Sequence, residues 1–159
     1  MAITDADLEF LRRCVGLARD ALKVGDEPFG SLLVDEAGDI LFADHNRVSN
    51  GDATEHPEFA IARWAAEHLA PEQRAGATVY TSGEHCAMCS AAHAWVGLGR
   101  IVYATSAQQL SQWRDEWGAP PAPVAPLPIT TVAPGLVVDG PATQLRDEMR
   151  DLYERAFRP

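Results

Sequence analysis

Cysteine and lysine are scarce in this 159-residue chain: there are three cysteines and a single lysine, Lys23. Its thirteen basic residues, scattered from Arg12 to Arg158, face 23 acidic ones, for a formal net charge of -10. Binding RNA or DNA through phosphates requires a clustered basic face, because neutralised phosphates and released counterions supply most of that affinity. No basic run occurs, so nucleic acid is not an expected partner. No stretch approaches the roughly 18 consecutive apolar residues of a membrane span. The opening Met1-Ala2-Ile3-Thr4-Asp5 lacks the basic segment and apolar run of a secretory signal, and the expected location is cytoplasmic. There is no internal repeat. With 47% hydrophobic residues, this length suits one domain over residues 1–159.

The chain alternates helical and strand patterns. Thr4 is a candidate N-cap, and Leu8, Leu11, Val15, Ala18 and Leu22 follow at helical spacing over residues 5–23; Cys14 falls in this pattern as a small buried hydrophobe. Ser31 to Val34 and Ile40 to Ala43 flank Ala37-Gly38-Asp39 and predict an antiparallel hairpin. A helix opens at Pro57, since proline suits the first helical position, and stops at Pro71. Thr78 to Thr81 is a third strand, residues 86–98 a helix, and Arg100 to Ala104 a fourth strand parallel to the third across a right-handed crossover. Ser106 to Trp117 predicts a short helix. Residues 119–128 hold five prolines and predict a rigid surface connection. Ile129 to Val132 reads as an edge strand, and residues 141–157 as a last helix. The expected fold is three-layer α/β/α, with a mixed central sheet of about five strands and helices on both faces.

Two segments carry chemistry: His56-Pro57-Glu58, and Glu84-His85-Cys86-Ala87-Met88-Cys89 some thirty positions later. One imidazole and two thiolates, His56, Cys86 and Cys89, supply three ligands for Zn2+ and leave the fourth tetrahedral position for water. Helix N-termini beside the sulfurs favour thiolates. Glu58, two residues past a ligand, can reach that water without ligating the metal, take its proton and later deliver it to a leaving amine. Attack on an amidine-like carbon, a tetrahedral intermediate and loss of ammonia make hydrolytic deamination. The alternative is a structural zinc with His85 or His93 as fourth ligand, in a catalytically silent binding domain; it leaves Glu58 without a role. A redox Cys-x-x-Cys explains neither His56 nor Glu58.

The motifs Pro28-Phe29-Gly30, His45-Asn46-Arg47-Val48, residues 52–58 and residues 84–89 resemble the cytidine-deaminase-like superfamily, specifically its purine branch of guanine deaminases and tRNA adenosine deaminases. That resemblance implies His56, Cys86 and Cys89 as zinc ligands, Glu58 as proton shuttle, Asn46 as a hydrogen-bond partner of the base and Phe29 as pocket wall. It implies that Trp95 binds substrate as in guanine deaminases, that Asp115 or Glu116 serves as a second proton shuttle, and that the protein is a homodimer. Two positions depart from the pattern. His85 replaces the usual proline before the first cysteine and is expected to be exposed and idle; Glu55 replaces a small residue and is expected to be a solvated surface group. The acidic Trp113–Trp117 segment disfavours RNA. The expected substrate is therefore a free amino-bearing nucleobase or similar small heterocycle, guanine-type first. A tRNA adenosine, a cytosine or nucleoside, and an s-triazine remain alternatives.

Overall fold

A computed structural model describes residues 2–159. Its elements are α1 (Asp5–Lys23), β1 (Gly30–Val34), β2 (Ile40–His45), α2 (Pro57–His68), α3 (Pro71–Gly76), β3 (Thr78–Gly83), α4 (Ala87–Trp95), β4 (Ile101–Thr105), α5 (Ala107–Glu116), α6 (Ile129–Val132), β5 (Val138–Asp139) and α7 (Arg146–Phe157). Single 3-10 turns cover Val48–Asn50 and Thr143–Leu145.

The sheet runs β2-β1-β3-β4-β5. β1 pairs antiparallel with β2 and β3, whereas β4 is parallel to β3 and to β5. The mixed five-stranded sheet and the parallel β3–α4–β4 unit match the sequence expectation. The hairpin turn places Gly38 at φ +92, in the left-handed region that a side chain disfavours. Asp35 Oδ1 completes that turn by accepting from the backbone N–H groups of Ala37 and Asp39.

Strand periodicity builds two cores. Leu32, Val34, Tyr80 and Val102 pack with Leu11 and Val15 of α1, Trp113 of α5, and Met149 and Leu152 of α7. Leu33 and Val79 point the other way, against Ile61, Ala62 and Ala65 of α2 and Leu98. Helices therefore cover both faces. α1 starts with a reciprocal cap, in which Thr4 Oγ1 accepts from Asp7 N at 3.1 Å and Asp7 Oδ2 accepts from Thr4 N at 2.8 Å. Its approach to β1 is close: a Cβ on Gly30 would stand 2.8 Å from Ala18 N, so glycine lets the helix seat. Cys14 is fully buried there, as its apolar neighbours predict.

Three elements differ from the sequence reading. Ile129–Val132 is one helical turn, not an edge strand. Its β-branched residues favour a strand, but Ile129 is buried and its N–H is held by Glu84 Oε1 at 2.9 Å, so tertiary contacts override propensity. The edge position goes to Val138–Asp139. Pro71 does stop α2, yet it also opens α3 as a first-turn residue. The proline-rich residues 120–128 carry no helix or strand and are exposed, as expected of a surface connection. No helix among the described residues is long and apolar enough to cross a membrane.

Candidate metal centre and active site

Each metal-ligand candidate sits where a helix begins. His56 is the residue before α2, with Pro57 in the first helical position. Cys86 precedes α4, and Cys89 lies in the first turn of α4. The parallel β3–α4–β4 unit delivers α4 to the end of the sheet where α2 starts, and the two helices pack together. Segments thirty residues apart thus meet at two helix N-termini.

His56 Nδ1 lies 3.6 Å from Cys86 Sγ and 3.6 Å from Cys89 Sγ. All three ligand atoms fall within 4.8 Å of one another. A tetrahedral zinc with Zn–S of about 2.3 Å and Zn–N of about 2.05 Å would hold nitrogen and sulfur about 3.6 Å apart. The donor set and its spacing therefore fit zinc. Hydrogen bonds from Cys89 and His56, against burial, pull the Cys86 thiol down to about 4, and its bond to Cys86 pushes His56 up to about 9. Cys89 is driven upward by Cys86, by burial and by Glu58.

Glu58 is buried beside this group. Burial pushes its carboxyl up, while His56, Ser31 and Thr81 pull it down. Its Oε1 accepts from Ser31 Oγ at 2.8 Å and from Thr81 Oγ1 at 2.9 Å. These hydroxyls come from facing positions, Ser31 on β1 and Thr81 on β3, and lie 2.9 Å apart. The sheet thus fixes one carboxylate oxygen, and the same carboxyl also bears on the Cys89 thiol. Sequence reasoning missed both residues, because only the antiparallel pairing of β1 with β3 brings the two hydroxyls to one carboxylate.

Glu84 was likewise given no role. Its Oε2 accepts from Ala107 N at the start of α5, and its Oε1 from Ile129 N at the start of α6, both at 2.9 Å. Its own N–H bonds Thr105 O at 2.8 Å. This carboxylate locks the loop that carries Cys86 to two later elements.

Asn46 is buried, its N–H donating to Phe29 O at 2.9 Å and its Oδ1 accepting from Val48 N at 3.0 Å. Phe29 is half-buried and packs on Tyr153 and Phe157. Trp95 stands 89% exposed near the end of α4, neither core nor covered within the chain. Asp115 and Glu116 lie exposed on α5, and Glu116 Oε2 is engaged by Arg150 Nη2 of α7 at 3.1 Å. No contact among the described residues joins either to His56, Cys86, Cys89 or Glu58. Glu55 is exposed, as expected.

His85 requires a correction. It was expected to be exposed, but it is fully buried, its ring edge-on to His93 at 5.4 Å between centroids. Neither ring nitrogen has a hydrogen-bond partner among the described residues. Burial, with His93 beside it, drives its pKa well down, so the ring is neutral. The tight turn from β3 into α4 points the side chain inward, which local polarity does not reveal.

The family model for the cytidine and deoxycytidylate deaminase zinc-binding region matches residues 4–105, a span that contains every residue of the metal group and Glu58. A probable cytosine deaminase of Schizosaccharomyces pombe is 32% identical over 119 residues, covering 75% of this chain and 72% of that protein. The guanine deaminase of Bacillus subtilis is 33% identical over 96 residues, or 60% of this chain and 62% of that protein. A tRNA-specific adenosine deaminase of Agrobacterium fabrum is 34% identical over 95 residues, or 59% and 62%. The chain therefore spans under two thirds of the last two relatives. Among solved structures, a guanine deaminase from Nitrosomonas europaea superposes with a TM-score of 0.69 over 98% of this chain and 85% of that one, at 20% identity, a likeness of fold. With the motif, the sheet and the metal group in agreement, the chain belongs to the cytidine and deoxycytidylate deaminase zinc-binding family, within the cytidine-deaminase-like superfamily.

Proposed function

We propose that this protein is a zinc-dependent hydrolase that deaminates a free amino-bearing nucleobase or similar heterocycle, guanine-type first, and releases ammonia. The observation that carries the reading is Glu58: a buried carboxylate beside a three-ligand group, with one oxygen fixed by Ser31 and Thr81. His56, Cys86 and Cys89 would hold the zinc, which supplies the Lewis acidity that makes water nucleophilic near neutral pH. Glu58 takes the proton of the attacking water at Oε2 and delivers it to a ring nitrogen; it then takes the proton of the newly added hydroxyl and delivers that to the departing amine. Ser31 and Thr81 orient the carboxylate for both transfers. Asn46 and Phe29 frame the base.

Trp95, exposed in the single chain, walls a substrate only when a second protomer covers it, so a homodimer is part of this reading. Asp115 and Glu116 remain candidates for a second proton transfer, and Glu116 would first have to leave Arg150. The net charge of -10 favours a free base over tRNA, although tRNA-specific relatives share the motif.

Metal analysis and ammonia release from guanine, adenine, cytosine and tRNA, run on the parent and on Glu58→Gln, test the reading. The expected outcome is about one zinc per chain in both proteins, ammonia from a free base in the parent, and a loss of about 100-fold or more in kcat in the variant. No ammonia from any substrate sinks the enzyme reading; activity on tRNA alone overturns the choice of substrate.

A further inference from the structure

Glu27 carries no role in the motif, in the proton transfers or in the core. It occupies the turn between α1 and β1, and that turn is tightly fixed. Phe29 N donates to Glu27 O at 2.8 Å, Asn46 N donates to Phe29 O at 2.9 Å, and the buried Asp26 accepts from Ser49 N at 2.9 Å. Glu27 is therefore held against the loop that carries Asn46 and beside the entry of β1, the strand that supplies Ser31. Its side chain is half-buried. It lies close enough to His56 that each shifts the other: burial raises Glu27, His56 and Arg114 draw it down, and Glu27 adds to the rise of His56.

No group among the described residues donates a hydrogen bond to this carboxylate. Arg114 is occupied elsewhere, with Nη2 donating to Pro120 O at 2.7 Å and its guanidinium 4.7 Å over the Phe157 ring. A partly desolvated carboxylate without a protein donor, on a rigid turn beside a reactive centre, is arranged to take its donor from a ligand. Asp115 and Glu116 show the solvated case on α5.

We propose that Glu27 is a substrate-reading residue, whose carboxylate accepts a hydrogen bond from the ring N–H that adjoins the amino-bearing carbon of a 2-amino-lactam heterocycle. The proposal rests on the deaminase reading of the same site and narrows its substrate class. In guanine and isocytosine the amino-bearing carbon lies between a ring nitrogen lone pair, which faces a proton donor, and a ring N–H, which requires an acceptor. In cytosine and adenine the second neighbour is a carbon and offers no such donor. Glu58 serves the lone-pair side in every case, and Glu27 serves the N–H side only where one exists. A site that leaves either partner unpaired discriminates strongly.

Glu27→Gln and Glu27→Ala, both zinc-loaded, are compared with the parent by steady-state ammonia release from guanine, isocytosine, cytosine and adenine. Calorimetric binding of the same bases is measured in a Glu58→Gln background. Loss of a charge-assisted hydrogen bond is expected to raise KM and Kd for guanine and isocytosine about tenfold or more. Zinc content is expected to hold, kcat to stay within about threefold, and values for cytosine and adenine to move less than about twofold. Guanine KM and Kd that stay within about twofold in both variants overturn the proposal, as does an equal loss across all four bases. If the parent releases no ammonia from any base, the deaminase reading fails on its own and calorimetry decides Glu27: guanine binding that weakens in Glu27→Gln upholds its role, and absent or unchanged guanine binding refutes it.

Discussion

Asp7→Asn is the perturbation whose size the structure sets most directly. Asp7 Oδ1 accepts from Tyr80 Oη at 2.8 Å and from Arg100 Nη1 at 2.9 Å, while Oδ2 accepts from Thr4 N at 2.8 Å and Arg100 Nη2 at 3.0 Å. Arg100 Nε also donates to Asp139 Oδ2 at 2.8 Å. This cluster ties the first turn of α1 to the β3, β4 and β5 strands, and the Asp7 side chain is only 4% exposed. Burial alone would raise its carboxyl, but Arg100, Thr4 and Tyr80 outweigh that and hold it at about 2, below the ordinary 3.8. The difference is worth about 2 kcal/mol of stability. Because the folded value is depressed, that stability is present above the unfolded value and is lost as pH falls from about 4 toward 2. Asparagine keeps one acceptor and turns an NH2 group toward donors, so the neutral-pH loss should be about 2–4 kcal/mol, or roughly 5–15 °C in Tm for a chain of this length. Urea denaturation of both proteins from pH 7 to pH 2.5 measures it. Metal loss in acid affects both and cancels in the difference. The gap should be constant above about pH 5 and shrink by about 2 kcal/mol in acid. A gap under about 1 kcal/mol at pH 7, or one that does not shrink, refutes the reasoning.

Two further outcomes follow from the loop around the metal group. Glu84→Ala strips two backbone N–H groups of their acceptor at once; it should lower stability by about 2–3 kcal/mol and speed zinc release to a chelator, and a parent-like release rate would show that the clamp does not position Cys86. His85→Leu removes a buried ring with no hydrogen-bond partner among the described residues, so scanning calorimetry should find it within about 1 kcal/mol of the parent or more stable; a loss above about 2 kcal/mol would reveal a bond that the ring makes.

The elements around the site were legible because their signals are local. Leu8, Leu11 and Val15 mark one face of α1 by spacing alone, and Pro57 marks the start of α2 because only a first-turn position tolerates its missing N–H. His56, Cys86, Cys89 and Glu58 announce a metal and a base through residue type and separation. Ile129–Val132 misled because its conformation is decided by Glu84, forty-five positions away. His85 misled because polarity predicts exposure, whereas the turn from β3 into α4 turns the ring into the core. Ser31 and Thr81 stayed silent, since hydroxyls are common on surfaces and only the β1–β3 pairing brings these two to one carboxylate.

By itself, then, the sequence determined the layer architecture and singled out His56, Cys86 and Cys89 as candidate metal donors and Glu58 as the candidate proton carrier, because helical and strand periods and ligand chemistry are written in residue type and spacing. The tertiary structure alone decided how that chemistry is held. The β1–β3 register brings Ser31 and Thr81 to one oxygen of Glu58, and the fold leaves Trp95 in solvent while turning His85 inward. Such facts depend on contacts between segments distant in the chain, whose register and direction no local pattern encodes.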